Sequence, residues 1–571
     1  MRRLVAGLPP LTRRIVYGLV VLAATSIPAA GQDRPAACEG SQVDRLEATR
    51  SWRADLPVQT EQGAAVRCLA VVLAEGEALR GVAQMDVEPP WSGVRIQMYR
   101  PGAESAAAEY YLGNISRTAL TIQAVETGTH HVVVRDAWSV APYPGASRAG
   151  SVPVRVWVEQ VEPPALAAAR QEALRTDPRV AWLREHAWTI RSIDPLDHDF
   201  ADLDPLREVL DGVRVVLLGE ADHRSGTDFL AKSRLVKFLH RELGFDVLAF
   251  ESPMYDMTVA WNRIRAGMPP RESFALGSLH FWGRASEMRP LVDYIGEHAR
   301  GGTPLDIAGF DNQPQQASIR FFMDDLSGFL AARNVAGPLA AGDTPEWRAL
   351  EALSQVRYRT GRAPPPDPAT RRALLAALDH TLETIDDMED EEARVWRQIL
   401  RGMRCHARRI LTHEGIGYCN RNDQMAENLL WLADERYPGR KIIVWSGTIH
   451  AARLPDVPPA GGTGASLGYR IGEELAAQSY VIGVTSHGST GGHISQNQHP
   501  LPDFEELMTA AGFEYGLLDM RRETVAGSWV RDEFRARALT QTTEAAVWSD
   551  VMDALLFVRQ HFPSTPVRQA P

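Results

Sequence analysis

Glu220 and His223 stand close together in Leu218-Gly219-Glu220-Ala221-Asp222-His223. Lys232 follows on the same stretch, and Glu251 closes the run Val247-Leu248-Ala249-Phe250. Far downstream, His450 follows the run Ile442-Ile443-Val444-Trp445. An imidazole titrates near neutral pH, so His223 is a candidate general base. A carboxylate on the ring would fix its tautomer and stabilise its charged form. Glu220 and Glu251 are candidates to converge on His223 and tune it. Lys232 suits either of two tasks, pairing with a Glu or meeting the oxyanion of a tetrahedral intermediate. His450 suits a second acid/base role or a polar partnership with a carboxylate. The set Glu220, His223, Glu251 and His450 would also serve as ligands for Zn²⁺ or Mn²⁺, so a metal-dependent hydrolase is an open alternative.

These groups need elements that hold them at one edge. Val213 to Leu218 is apolar except for Arg214, which predicts a strand. Leu235, Val236, Leu239 and Leu243 carry helical spacing over Phe229–Leu243, and Gly244 fits the C-terminal cap. Asp246 to Phe250 predicts a second strand, so 213–251 has the length of one βαβ unit. Near-continuous apolar strands suit a parallel sheet covered on both faces. Glu220, His223 and Glu251 then fall at or just past strand C-terminal ends, the edge where α/β folds place active sites. Further strand-like runs are Leu305–Gly309, which leads to Asp311, then Lys441–Trp445, Ser479–Val484, Leu517-Leu518 and Leu555–Val558. Helical stretches alternate with them. A helical insert over about 317–436, broken at Pro364-Pro365-Pro366, reads as a lid or cleft wall. The fold class is α/β, a mostly parallel sheet with a helical insert, preceded by a small all-β sandwich.

The motif residues also carry a resemblance. "LLGEADH", then Lys232, then "GFDVLAFE" resembles the opening of the erythromycin esterase family, G-E-x-x-H, a basic residue, and G-F followed five residues later by Glu. A second block, Arg421-Asn422-Asp423-Gln424-Met425-Ala426-Glu427-Asn428 with Trp431-Leu432, resembles that family's R-D-x-x-M-A-x-N-x-x-W-L helix. A third, Trp445-Ser446-Gly447-Thr448-Ile449-His450, resembles W-A-H-N-x-H. The resemblance spans about 180–560. It implies that His223 is the base that activates water for ester hydrolysis. It implies cleft positions for Glu220, Glu251, Lys232 and His450, and substrate-binding positions for Asp311, Arg421 and Asn428. There are departures: Asn422 replaces an Asp, Gly447 replaces the first His, and Thr448 replaces an Asn. The family's activity on macrolides therefore does not carry over by motif alone.

Gly464-Ala465-Ser466-Leu467-Gly468 matches G-x-S-x-G, but the proline- and glycine-rich run before it is a loop, not the strand that a nucleophile elbow requires. No covalent acyl-enzyme is expected. No zinc helix of the H-E-x-x-H kind follows His413-Glu414. No cofactor is implied, apart from the divalent metal of the alternative reading.

At 571 residues, with 44% hydrophobic residues, the chain is long enough for roughly two or three domains with large cores. A net charge of −11 argues against nucleic acid or an anionic membrane surface as the partner. Arg2, Arg3, Arg13 and Arg14, the apolar run Ile15–Ile27 and Ala29-Ala30-Gly31 read as a signal peptide over 1–31. No later stretch is long and apolar enough to span a bilayer. The expectation is export, to the periplasm or beyond. The cysteine count of four is even and allows three pairings. Cys38–Cys68 and Cys405–Cys419 keep each pair within one domain.

Residues 38–162 carry short strands at Val66–Val72, Val94–Tyr99, His131–Arg135 and Val154–Val158, as in a small sandwich. Their order weakly resembles pre-peptidase C-terminal modules. Pro163-Pro164 marks the boundary of a catalytic domain over 163–565. The expected function is an exported hydrolase that cleaves a carboxylic ester or lactone, on a small molecule or a polysaccharide-linked acyl group. A non-catalytic envelope binding protein is the remaining alternative, motivated by Gly447 and Asn422.

Overall fold

The computed structural model describes residues 171–567 except 359–361, 412–418, 457–463, 490–500, 523–526 and 541–542, and between 35 and 160 the strands and some turns. The expected signal peptide, 1–31, lies outside the described residues.

The N-terminal region is all-β. One sheet runs in the order Val43–Arg45, Val66–Leu73, Gly128–Asp136, Val94–Tyr99, Ala108–Leu112. The other runs Ser51–Pro57, Ser151–Gln160, Ala78–Met85, Arg117–Gln123. The disulfide Cys38–Cys68 packs with Tyr99 and Val133 in a small core.

The second region is built on an eight-stranded sheet in the order Trp188–Ile190, Tyr515–Asp519, Ala554–His561, Ser479–Ser489, Val215–Glu220, Lys441–Gly447, Phe245–Pro253, Asp306–Asp311. The strands from Ala554–His561 to Asp306–Asp311 are mutually parallel, and Tyr515–Asp519 runs against them. Both faces are covered, which explains the unbroken apolar runs. Along each strand the side chains alternate between two cores. Val215, Leu217, Ile442, Val444, Val247 and Ala249 belong to one core. Val216, Leu218, Ile443, Trp445, Leu248 and Phe250 belong to the other.

The expected strand–helix–strand unit forms, but its two strands are not neighbours. Lys441–Gly447 lies between Val215–Glu220 and Phe245–Pro253, hydrogen-bonded to both. The pairing sets Glu220 level with Gly447, and Phe250 level with Trp445. The three motif-bearing strand ends are thereby brought side by side. The helix Gly226–Leu243 starts from the N-cap Ser225, whose side chain accepts from Asp228 N–H, and ends on Gly244 at φ 70°. That left-handed turn favours glycine. Gly309 also has a steric reason to be glycine, since a Cβ there would lie 2.4 Å from the Ser252 carbonyl. It lets Asp306–Asp311 pass close beneath the irregular register between Phe250 and Pro253.

The insert consists of helices Gln316–Ala332, Pro345–Ser354, Pro368–Ile385, Glu391–Leu411 and Arg421–Trp431. Its apolar residues, among them Leu326, Leu378, Trp396 and Met425, share one core with a face of the sheet. It is thus largely a covering layer rather than a lid. Its last described helix reaches the strand ends, with Arg421 at its start and Asn428 farther along. The disulfide Cys405–Cys419 ties that start to the helix before it.

Candidate active site

At the C-terminal edge of the sheet, Glu220 is buried at the end of Val215–Glu220. Its Oε1 accepts from His223 Nδ1 and from Trp282 Nε1, each at 2.8 Å. Its Oε2 accepts from Lys232 Nζ at 2.8 Å. Lys232 is wholly buried, donates also to the Ser446 carbonyl at 3.1 Å, and lies 4.2 Å from the centre of the Trp445 ring. Burial pulls the lysine down from its usual range, against the pull of Glu220. A buried ion pair of this kind holds geometry more than it adds stability.

His223 remains 32% exposed. Its ring stacks on Phe281 at 4.7 Å and meets the edge of Trp282 at 5.6 Å. A carboxylate oxygen only accepts, so Nδ1 carries the hydrogen and Nε2 carries a lone pair. Burial lowers the imidazole pKa, but the Glu220 hydrogen bond and the charges of Glu251, Glu220 and Asp222 outweigh it, and the net shift is upward. Gly447 lies beside the ring. A Cβ there would be 3.0 Å from His223 Cε1 and 3.4 Å from Nε2.

The second half of the site is built around Arg421 at the N-terminus of its helix. The guanidinium grips Asp311 through Nε at 3.0 Å and Nη2 at 2.9 Å. Nη2 also donates to Glu251 Oε1 at 2.8 Å. The other Glu251 oxygen accepts from Gly447 N–H at 3.0 Å. Burial raises the Glu251 carboxyl, but His450, Arg421, His223 and the Gly447 N–H together bring it down to about 2. His450 Nδ1 donates to Asn422 Oδ1 at 2.8 Å, which leaves Nε2 to accept from Arg421 Nη1 at 3.2 Å. Burial pushes this imidazole down; Glu251 opposes, Arg421 and His223 add to the fall, and it ends at about 4. It is therefore neutral at pH 7.

Glu220, His223, Glu251, Arg421 and His450 thus come together at one edge. Several expectations are corrected. The two carboxylates do not converge on one histidine: Glu220 binds His223, while Glu251 binds Arg421 and Gly447, lies 3.3 Å from His450 Nε2, and acts on His223 through its charge. Of the two tasks open to Lys232, the structure places it in the pairing one, beneath Glu220 and away from the cleft. Asp311, expected to bind substrate, is buried and bound by Arg421. Asn428, also expected there, is a buried support: its Nδ2 donates to the Phe310 carbonyl at 2.8 Å and its Oδ1 accepts from Gln398 and Gln424. Ser466 caps the helix Leu467–Leu475, accepts from Tyr469 N–H and donates to the Ala452 carbonyl at 2.5 Å, while the run 457–463 before it lies outside the described residues.

Sequence reasoning missed Phe281 and Trp282. They lie in the short turn His280–Gly283, and only the aromatic pair itself was a signal. Among the described residues, no group of three or more His, Cys, Asp or Glu side chains is arranged to hold a metal ion. The candidate ligands are instead bound by Lys232, Trp282, Arg421 and Asn422.

The erythromycin esterase family profile matches residues 240–561, which takes in Glu251, Asp311, Arg421 and His450 and begins after Glu220, His223 and Lys232. YbfO of Bacillus subtilis (strain 168), a protein named as a hydrolase, is 24% identical over 424 residues, 67% of this chain and 92% of YbfO. Among solved structures, a Bacillus cereus protein aligns at TM-score 0.58 and 18% identity, over 69% of this chain and 99% of its own. A protein titled as one of succinoglycan biosynthesis aligns at TM-score 0.55 and 19% identity, over 70% and 99%. A point mutant of the erythromycin esterase EreC in its open conformation aligns at TM-score 0.50 and 15% identity, over 67% and 99%. These structural likenesses concern the fold. With the profile match covering more than half of the sequence, the chain belongs to the erythromycin esterase family, and hydrolase is the class of activity that this membership supports.

Proposed function

We propose that this protein is an exported hydrolase that cleaves a carboxylic ester or lactone with water activated by His223. The observation that carries the reading is the Glu220–His223 contact, with Glu220 itself fixed by Lys232 and Trp282. Nδ1–H is committed to Glu220, so Nε2 takes a proton from water as the water oxygen bonds to the carbonyl carbon. The tetrahedral intermediate then expels the alkoxide, which receives the proton from His223. The products are the acid and the alcohol, and a lactone opens to a hydroxy acid. The Glu251 charge favours the imidazolium that forms midway. Arg421, partly exposed and hydrogen-bonded to His450, is assigned the developing oxyanion. The missing side chain at Gly447 leaves the Nε2 side of His223 open to water. The two disulfides support an oxidising compartment, and with it export.

The test is hydrolysis of short acyl esters, lactones and a macrolide by the chain from Gln32 onward, beside His223→Ala and with a chelator present. The expected result is turnover of an ester or lactone that survives chelation and falls by about 10²–10⁴-fold in His223→Ala. Activity lost to the chelator and restored by Zn²⁺ or Mn²⁺ would replace this reading with the metal-dependent one. Ligand binding without turnover of any ester would replace it with a binding protein.

A further inference from the structure

Beyond the last sheet strand, Ala554–His561, residues 562–567 turn back across the site. The Phe562 carbonyl accepts from Gly226 N–H at 2.9 Å, and Ser564 N–H donates to the Arg224 carbonyl at 2.6 Å. Phe562 N–H donates to Thr227 Oγ1 at 2.8 Å. Farther on, the Thr565 carbonyl accepts from Ser286 N–H at 2.9 Å, and Val567 N–H donates to the Arg284 carbonyl at 2.6 Å. Thr565 N–H also donates to the Glu287 carboxylate at 3.0 Å. Pro563 stands opposite Ser225, and Pro566 opposite Ala285, in antiparallel bridges. The segment therefore pairs with two separate loops. One begins directly after His223. The other begins directly after Phe281 and Trp282, which stack on His223 and hold Glu220.

We propose that residues 562–567 form a positioning strap, which locks the His223 loop against the Phe281–Trp282 turn and so sets the direction of His223 Nε2. The inference rests on the reading of His223 as the base. Its physical ground is precision: a reacting group displaced by about 1 Å costs on the order of 10²-fold in rate. Fit is close where the strap begins, since a Cβ at Gly226 would lie 2.7 Å from the Phe562 ring. No strap residue belongs to either core of the large sheet, and Pro563, Thr565 and Pro566 are exposed. Its contacts to the two segments are mostly hydrogen bonds of its backbone, with the Phe562 ring packed at Gly226. The family match ends at 561, just before it.

The experiment compares the full chain with one ending at His561 and one ending at Val567. It reads kcat and KM on an ester that the full chain cleaves, and the His223 imidazole titration by NMR, which needs no substrate. The chain ending at His561 is expected to unfold cooperatively, to lose roughly 10–100-fold in kcat with KM changed by less than about threefold, and to show a shifted His223 titration. The chain ending at Val567 is expected to match the full chain. If the shorter chain does not fold, Ser564→Pro, which deletes the N–H given to Arg224, carries the test in the same direction. A folded chain ending at His561 with unchanged kcat and unchanged His223 titration overturns the strap. If His223→Ala keeps full activity, the water-activation reading falls, and the NMR titration alone decides whether the strap positions His223.

Discussion

The cleft holds two histidines whose pKa values are shifted in opposite directions. His223 gives its Nδ1–H to a carboxylate, Glu220, and its pKa rises. His450 gives its Nδ1–H to a neutral amide, Asn422, and faces the Arg421 guanidinium with Nε2, so its pKa falls to about 4. The carboxylates differ in the same way. Glu220 is held by a buried lysine and an indole, while Glu251 shares an arginine with Asp311. One residue type is thus held in two ways, with its pKa raised on one side and lowered on the other. The difference comes from what each ring nitrogen meets, since an anionic partner raises an imidazole pKa while burial and a cationic neighbour lower it.

The comparison can be broken most strongly at Glu220. Glu220→Gln removes the charge that orients His223 and leaves Lys232 buried without its anion. It is expected to lower kcat by about 10²-fold or more. It should also lower stability by roughly 3 kcal/mol, measured by urea unfolding. Unchanged kinetics would show that His223 is not held by this carboxylate.

A smaller effect is read from pH in the unmodified protein. Only neutral His223 accepts a proton, and its pKa lies above 6.5. The logarithm of kcat/KM should therefore rise with unit slope, about tenfold per pH unit, until the pH passes that raised pKa, and then level off. Glu251, at about 2, and His450, at about 4, add no further limb between pH 5 and 8. The linkage runs the same way: stability from protonated His223 is present below 6.5 and is lost as pH rises through the raised value. A limb at or below 6.5 would contradict the Glu220 contact.

Gly447→Ala tests the space beside His223. The added Cβ would crowd Cε1 at 3.0 Å, so the ring must shift by a few tenths of an ångström. The expected loss in kcat is roughly three- to tenfold, smaller than the cost of a full 1 Å displacement. The gentlest change sharpens the comparison rather than breaking it. Asn422→Asp gives His450 the kind of partner that His223 has. The His450 titration should move up from about 4, followed by NMR, with a change in kcat of less than about threefold at pH 7.

Much of this organisation is legible in the chain. Val215–Leu218 and Val247–Phe250 are apolar without alternation because helices cover both faces of a parallel sheet, and that places Glu220 and Glu251 at one edge. The pairing of Lys232 with a glutamate was one of two readings open from its type alone. Other features depend on distant partners. Arg421 meets Asp311 across 110 residues and Glu251 across 170, and Trp282 meets Glu220 across 62. No local spacing carries such contacts. Asn428 and Arg421 lie on one helix, yet one faces a buried amide network and the other the cleft.

The sequence by itself determined the strands, the helix that follows His223, its glycine cap and the chemistry within reach. These depend on side-chain pattern and backbone preference, which act locally. Tertiary structure alone decided that Glu251 joins Arg421 and that His450 is held by Asn422. The strand Lys441–Gly447 inserts between two strands that come much earlier in the chain, and so carries His450 and Gly447 between Glu220 and Glu251. The raised pKa of His223 and the lowered pKa of His450 follow from that insertion, because hydrogen bonds and burial act over a few ångströms in space, whatever the separation along the chain.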